Sequence, residues 1–190
     1  HPERKLSNVI QVIGSDGKFS VLRALRYFIE GNKQTASTHV SPSLTDIRER
    51  FWMGKKYLTH SEIKKTIRII EKLKIPLTIY EVLTLVFIIN ASNRNNDYVI
   101  QEAGCLWRLD SNNVIDFPKI QVVVNINKQH LNFVKKKTLN EIIYQKVGFL
   151  SQFTKIYIGR QKPAVLKKIK KLLENNNTQI NYSNSWRLMK

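Results

Sequence analysis

Apolar positions along the chain fall into short runs and helical stripes separated by turn residues. Leu6 to Ile13 (LSNVIQVI) is mostly apolar and runs into Gly14-Ser15-Asp16-Gly17, which predicts a helix stopped by two glycines. Lys18 to Phe28 follows with Phe19, Val21, Leu25 and Tyr27 in alternation, the pattern of a strand. Gly31 to Pro42 is polar and reads as loop. Thr59-His60-Ser61-Glu62 is a capping box, so a helix is expected to begin there. Ile63, Ile67, Ile70 and Leu73 form its apolar stripe, with Lys64, Lys65, Arg68 and Lys72 on other faces. Pro76 ends it, and the apolar segment up to Asn90 predicts a second, buried helix.

The second half repeats this order of signals. Asp97 to Glu102 runs into Gly104, Cys105 to Leu109 reads as strand, and Ile120 to Ile126 (IQVVVNI) is a strand with a buried run of valines. Asn127 to Ile143 has helical spacing at Leu131, Val134 and Ile142. Phe149 and Phe153 to Ile158 read as strand. Pro163 stands at a favoured first-turn position of a last helix, with Val165, Leu166, Ile169, Leu172 and Leu173 on its core face and Asn175, Asn176 and Asn177 at its end. Gly17 and Gly104 lie 87 residues apart, whereas Ile63 and Val165, Ile67 and Ile169, Ile70 and Leu172, and Tyr80 and Tyr182 each lie 102 apart. One insertion therefore relates two weak repeats, residues 1–92 and 93–190, within one compact unit. The competing account is that any two amphipathic basic helices can be aligned.

Charge changes the picture from fold to partner. The 190 residues carry 32 Lys+Arg against 14 Asp+Glu, a net charge of +18. Residues 1–96 hold 16 basic and 8 acidic side chains and residues 97–190 hold 16 and 6, so the excess is no basic tail on a neutral body. A globular chain positive along its whole length calls for a polyanionic partner, nucleic acid or an anionic membrane. One cysteine, Cys105, allows no internal disulfide, and four histidines give no zinc-ligand spacing. The longest apolar stretch, Ile75 to Ala91, is shorter than the ~20 residues of a spanning helix and is interrupted by Pro76 and Glu81, so no membrane span is expected. The apolar faces are taken up by the core, which speaks against peripheral membrane binding. The first residue is His1, so no targeting segment can be read. The counts of 22 Lys against 10 Arg, with 17 Asn, resemble the usage of an AT-rich organellar genome.

Val12-Ile13-Gly14-Ser15-Asp16-Gly17-Lys18-Phe19-Ser20-Val21 resembles the motif and first strand of the LAGLIDADG homing endonucleases and their maturase relatives, and Val99 to Trp107 is similar to a worn second copy. That resemblance implies an α+β fold of two αββαββα repeats about a pseudo-two-fold axis, with saddle-shaped antiparallel sheets laid on nucleic acid. It would turn Lys18, Ser20, Cys105 and Trp107 toward the ligand, with Trp107 either a stacking platform for a base or a core tryptophan.

The family's chemistry needs one acid at the base of each motif helix, because paired carboxylates hold the metals that activate water. Asp16 stands at the first position and Ala103 at the second, with Glu102 one residue out of register. No catalytic residue is therefore expected beyond the residual candidates Asp16 and Glu102, and no metal unless Asp16 is active. The resemblance thus implies a catalytically inactive RNA-binding protein. The expected place is an organellar ribosome, in the mitochondrial matrix rather than a plastid, with structured rRNA and neighbouring ribosomal proteins as partners and no cofactor. Lys18, Arg26, Trp107, Arg108, Lys119, Lys155 and Arg160 are the expected RNA contacts. Two alternatives remain open: a homing endonuclease that cleaves double-stranded DNA with Mg²⁺, and a group I intron maturase.

Overall fold

The computed structural model describes residues 1–176 and 179–182. Its centre is strand β1 (Val9–Ile13), whose five residues are all buried. A strand covered on both faces reads as a continuous apolar run instead of an alternating one. Eight residues is also short for a helix, and the helix expected at Leu6–Ile13 is this strand. The chain leaves β1 through Gly14–Gly17 into helix α1 (Lys18–Gly31), where a strand was expected. The alternation of Phe19, Val21, Leu25 and Tyr27 misled, since Phe19 and Tyr27 are exposed. The buried stripe is Leu22 and Arg26, flanked by Val21, Leu25 and Ile29, which is helical spacing.

After α1 come β2 (Ala36–His39) and the antiparallel edge strand β3 (Phe51–Met53). Helices α2 (His60–Glu71) and α3 (Ile79–Ser92) begin at full capping boxes, Thr59 with Glu62 and Thr78 with Glu81. Strand β4 (Tyr98–Glu102) stands where the second motif helix was expected, and Cys105 to Leu109 forms turns, not strand. Strand β5 (Ile120–Val123), helix α4 (Leu139–Val147), strand β6 (Lys155–Ile158), helix α5 (Pro163–Leu172) and strand β7 (Ile180–Tyr182) complete the order. Of the helix expected over Asn127–Ile143 there is one 3-10 turn, Leu131–Phe133, and then the start of α4 at Leu139 behind its cap Thr138. Phe149 lies in a turn. Asn177, one of the three asparagines expected to end α5, falls outside the described residues.

The seven strands form one sheet in the order β3-β2-β4-β1-β5-β6-β7, parallel throughout except at β3. Alternation along β1 sorts the layers. Ile10 and Val12 face α1, while Val9 packs with the α2–α3 layer and Ile13 with the α4–α5 layer on the opposite face. This is an α/β arrangement, and it corrects the expected α+β fold of two αββαββα repeats with antiparallel saddle sheets. The two strings read as repeated motif helices are β1 and β4, neighbours in one sheet with Val9 opposite Val99. They look alike because both are buried parallel strands that end in a loop at the same edge.

Candidate functional site

The loop Gly14-Ser15-Asp16-Gly17 lies at the carboxyl end of the central strand and opens α1. Gly14 has φ 144° and Gly17 φ 85°, backbone that favours glycine. The loop is fixed from below and from the side. Lys146 of α4, buried, donates from Nζ to Gly14 O at 2.8 Å and to Cys105 O at 2.5 Å. Ser15 N donates to Asn125 O at 2.8 Å, and Asn127 N donates to Ser15 Oγ at 3.0 Å. Burial pushes the Lys146 ammonium down to about 8. The first turn of α1 has no side-chain cap and no acidic residue. Its free N–H groups and positive dipole end therefore make a place for an anion.

Lys18, the first residue of α1, donates to Ser15 O at 3.2 Å, with its Nζ 3.9 Å from Glu102 Oε1. Glu102 ends β4, the strand next to β1, and accepts the Ser41 N–H at 3.1 Å. Burial holds the Glu102 carboxyl above the ordinary carboxylate range. Ser41 follows β2 and precedes Pro42 through a cis peptide bond. These groups open onto a cavity of about 840 Å³ whose walls include Lys18, Ser41, Tyr80, Gly104, Arg108 and His130. Such a position, beyond the carboxyl ends of parallel strands where successive connections run in opposite directions, is where open α/β sheets take ligands.

The loop has the strand–glycine–lysine–helix order of a phosphate-binding loop, in departed form. In the general pattern G-x-x-x-x-G-K-[S/T], Gly17-Lys18 match, but Val12 stands at the first glycine and Phe19 at the hydroxyl. Among the described residues no three His, Cys, Asp or Glu side chains gather to cage a metal ion. Glu102 with Ser41 supplies oxygen donors of the kind that hold a divalent cation whose remaining ligands are water or ligand oxygens.

The residues singled out in the sequence are scattered across this frame. Asp16 is an exposed loop residue whose carboxylate accepts from Asn127 Nδ2 and from Gln129 Nε2 at 2.7 Å, and these bonds hold it below its ordinary range. Lys18 and Arg108 line the cavity, Glu102 lies buried beside Lys18, and Arg160 follows β6 at the same edge of the sheet. Arg26 is buried on α1 beside Glu30, with its guanidinium over the Trp52 ring at 4.3 Å. Trp107 is fully buried and donates from Nε1 to Phe149 O at 3.1 Å, which leaves no face for a base to stack on. Lys119 and Lys155 sit at the opposite edge of the sheet, by the amino ends of β5 and β6. Lys146, Ser41, Tyr80 and His130 were missed. The signal that could have found the site is Gly17-Lys18 after a short apolar run, once that run is taken as strand.

No protein-family model matches the chain. It is 26% identical over 179 residues to the dihydrofolate synthase/folylpolyglutamate synthase of Bacillus subtilis, covering 90% of this chain and 41% of that protein. It is 27% identical over 152 residues to the protein of the same name from Haemophilus influenzae, covering 80% and 34%. The chain thus spans about two fifths or less of the length of these relatives. Among solved structures, Mycobacterium tuberculosis folylpolyglutamate synthase complexed with ADP superposes with a TM-score of 0.84 at 22% identity, over 95% of this chain and 43% of that one. A folylpolyglutamate synthase–AMPPCP complex superposes with a TM-score of 0.86 at 20% identity, over 95% and 46%. The fold is that of the folylpolyglutamate synthases.

These likenesses and the parallel sheet overturn the LAGLIDADG resemblance, and its functional readings go with it. An rRNA-binding ribosomal component, a homing endonuclease and an intron maturase are all set aside, as are structured RNA, ribosomal proteins and DNA as partners. Among the described residues no helix is long and apolar enough to cross a membrane, as the sequence led us to expect.

Proposed function

We propose that the chain is the nucleotide-binding part of an ATP-dependent ligase of the folylpolyglutamate synthase type. The observation that carries this reading is the Gly14–Lys18 loop, pinned at the carboxyl end of the central strand with uncapped helix N–H groups above it. Lys18 and those N–H groups hold the phosphates, and Glu102 with Ser41 holds the accompanying divalent cation. A nucleoside triphosphate bound there supplies the phosphoryl group that turns a carboxylate into an acylating group for an amine. The rest of the cavity, with Leu106, Leu109 and Phe133 on its walls, offers apolar surface for a flat aromatic substrate and keeps water from it. On this reading the substrates are folate compounds and glutamate.

Calorimetric titration of the protein with AMPPCP and with ADP, with and without Mg²⁺, tests it. The native chain binds both, and Lys18→Ala weakens AMPPCP at least tenfold by removing a cation from the phosphates. Absence of binding at millimolar nucleotide, or a Lys18→Ala variant that binds as tightly as the native chain, refutes the reading.

A further inference from the structure

Four buried polar side chains cross the face of the sheet that carries Val9 and Ile13. His39, Gln101, Gln11 and Gln121 stand on β2, β4, β1 and β5 at mutually paired positions, and none has any exposed surface. Groups of this kind are costly unless they are bonded, so their partners identify what they serve. Gln121 Nε2 donates to Gln11 Oε1 at 2.8 Å, and Gln11 Nε2 donates to Asn112 O at 2.9 Å. Gln101 Nε2 donates to Asn112 Oδ1 at 3.1 Å, and His39 Nδ1 lies 3.3 Å from the same oxygen. The row converges on one residue outside the sheet.

Asn112 is itself fully buried, in the turn-rich segment that follows the cavity wall. On its other side Nδ2 donates to Tyr80 OH at 2.9 Å and to Glu102 O at 3.0 Å. Its N–H donates to Asp110 Oδ1 at 2.9 Å, while Asp110 Oδ2 accepts the Gly104 N–H at 2.6 Å. Tyr80, Glu102, Gly104 and Asp110 are groups of the cavity or its edge, drawn from α3, the end of β4 and the segment that follows β4. Asn112 therefore uses its oxygens toward the sheet and its nitrogens toward the site.

We infer that Asn112 is a positioning residue that sets Glu102 and the 103–111 wall at a fixed place relative to the Lys18 loop, taking its own position from the polar row in the sheet. The inference rests on the reading of the cavity as a nucleotide site. Positioning of this sort matters because a cavity wall displaced by about 1 Å already loses much of its fit to a charged ligand.

The variants separate the two sides of the hub. Asn112→Asp keeps the oxygen acceptor for the sheet and removes the side-chain donor to the site. Tyr80→Phe removes only the hydroxyl that Asn112 holds, and Asn112→Ala removes both sides. Hydrogen exchange of the whole chain is the first readout, and it needs no nucleotide. Asn112→Asp and Asn112→Ala lower protection of amides 103–111 at least tenfold, while amides of α5 keep native protection. AMPPCP titration is the second, with a tenfold or greater loss for Asn112→Asp and Tyr80→Phe. For Tyr80→Phe the melting temperature stays within a few degrees of native, whereas the buried acid of Asn112→Asp also lowers it. Combining Tyr80→Phe with Asn112→Asp costs less than the sum of the two, because they share the Asn112–Tyr80 contact while Asn112→Asp also loses the bond to Glu102 O. A merely structural asparagine would lose stability and affinity in step. Native protection of the 103–111 amides in Asn112→Asp, or AMPPCP affinity within twofold of native in both cavity-side variants, overturns the inference. A native chain that binds no AMPPCP instead defeats the nucleotide reading, and the exchange data still decide whether Asn112 holds the wall.

Discussion

His39 makes the fold sensitive to acid, and its contribution can be worked out. The ring is fully buried and stacked against Phe51, Phe87 and Tyr80 at centroid distances of 5.7, 5.1 and 6.2 Å. Burial pushes its pKa from 6.5 down to about 4, outweighing the Asn112 bond that works the other way. The folded chain thus keeps His39 neutral, whereas the unfolded chain takes up a proton below 6.5. His39 therefore costs the fold nothing above pH 6.5, costs progressively more as pH falls toward 4, and the loss levels off below that. The gap corresponds to about 3 kcal/mol in full, of which about 2 kcal/mol is lost between pH 7 and pH 5. Urea unfolding at these two pH values, on the native chain and on His39→Gln, isolates the effect, since the carboxylates common to both cancel in the difference. The native chain should lose about 2 kcal/mol more than the variant over the interval. Equal losses in the two proteins would show that the ring is hydrated or already charged in the fold, and would refute the reasoning.

Trp107→Ala should destabilise the chain by about 3–5 kcal/mol in chemical denaturation, because the indole is enclosed and its N–H bond is lost as well. A loss below about 1 kcal/mol would mean the ring is not in the core. Gly14→Ala places a Cβ against the Val124 side chain, 3.0 and 3.2 Å from the carbonyl oxygens of Val124 and Asn125, at a φ of 144°. It should lower the melting temperature through about 1–3 kcal/mol of strain, and AMPPCP affinity should fall with it. Lys146→Met keeps the volume and leaves two loop carbonyls without their donor, at about 1–3 kcal/mol each. Thermal melting with and without AMPPCP should show a lower melting temperature and a smaller shift on adding nucleotide. A native-sized shift would mean that Lys146 does not fix the loop.

The helices were legible where the sequence carries stop and start chemistry. Thr59 with Glu62 and Pro163 mark real helix starts, Pro76 falls in the connection after α2 has ended at Glu71, and β5 and β6 show as runs rich in Ile, Val and Tyr. The first thirty residues were inverted for a physical reason. A strand buried on both faces gives no alternation, and a helix with Phe19 and Tyr27 exposed on its outer surface imitates one. With β1 read as helix, Gly14–Gly17 became a helix end instead of the opening of α1, Asp16 became a candidate metal ligand, and Lys18 was placed on a strand as an RNA contact. The +18 excess led to the expectation of nucleic acid, a partner that the likeness to folylpolyglutamate synthases overturns. Lys146, Ser41 and Tyr80 were out of reach because they join the site only through sheet order, and no local pattern encodes that β4 lies between β2 and β1.

The buried row of His39, Gln101, Gln11 and Gln121 also bears on how the strands find one another. A parallel sheet of Val and Ile can slide by two residues and still present the same faces, so apolar patterning alone leaves its alignment loosely specified. Sliding β4 or β5 here by two positions would set a buried amide against an aliphatic neighbour and strip it of its partner, at about 1–3 kcal/mol for each group. The four polar residues act as alignment pins. The penalty falls more heavily on misaligned sheets, since in the native alignment only His39 Nε2 and Gln101 Oε1 among these side-chain groups lack a partner.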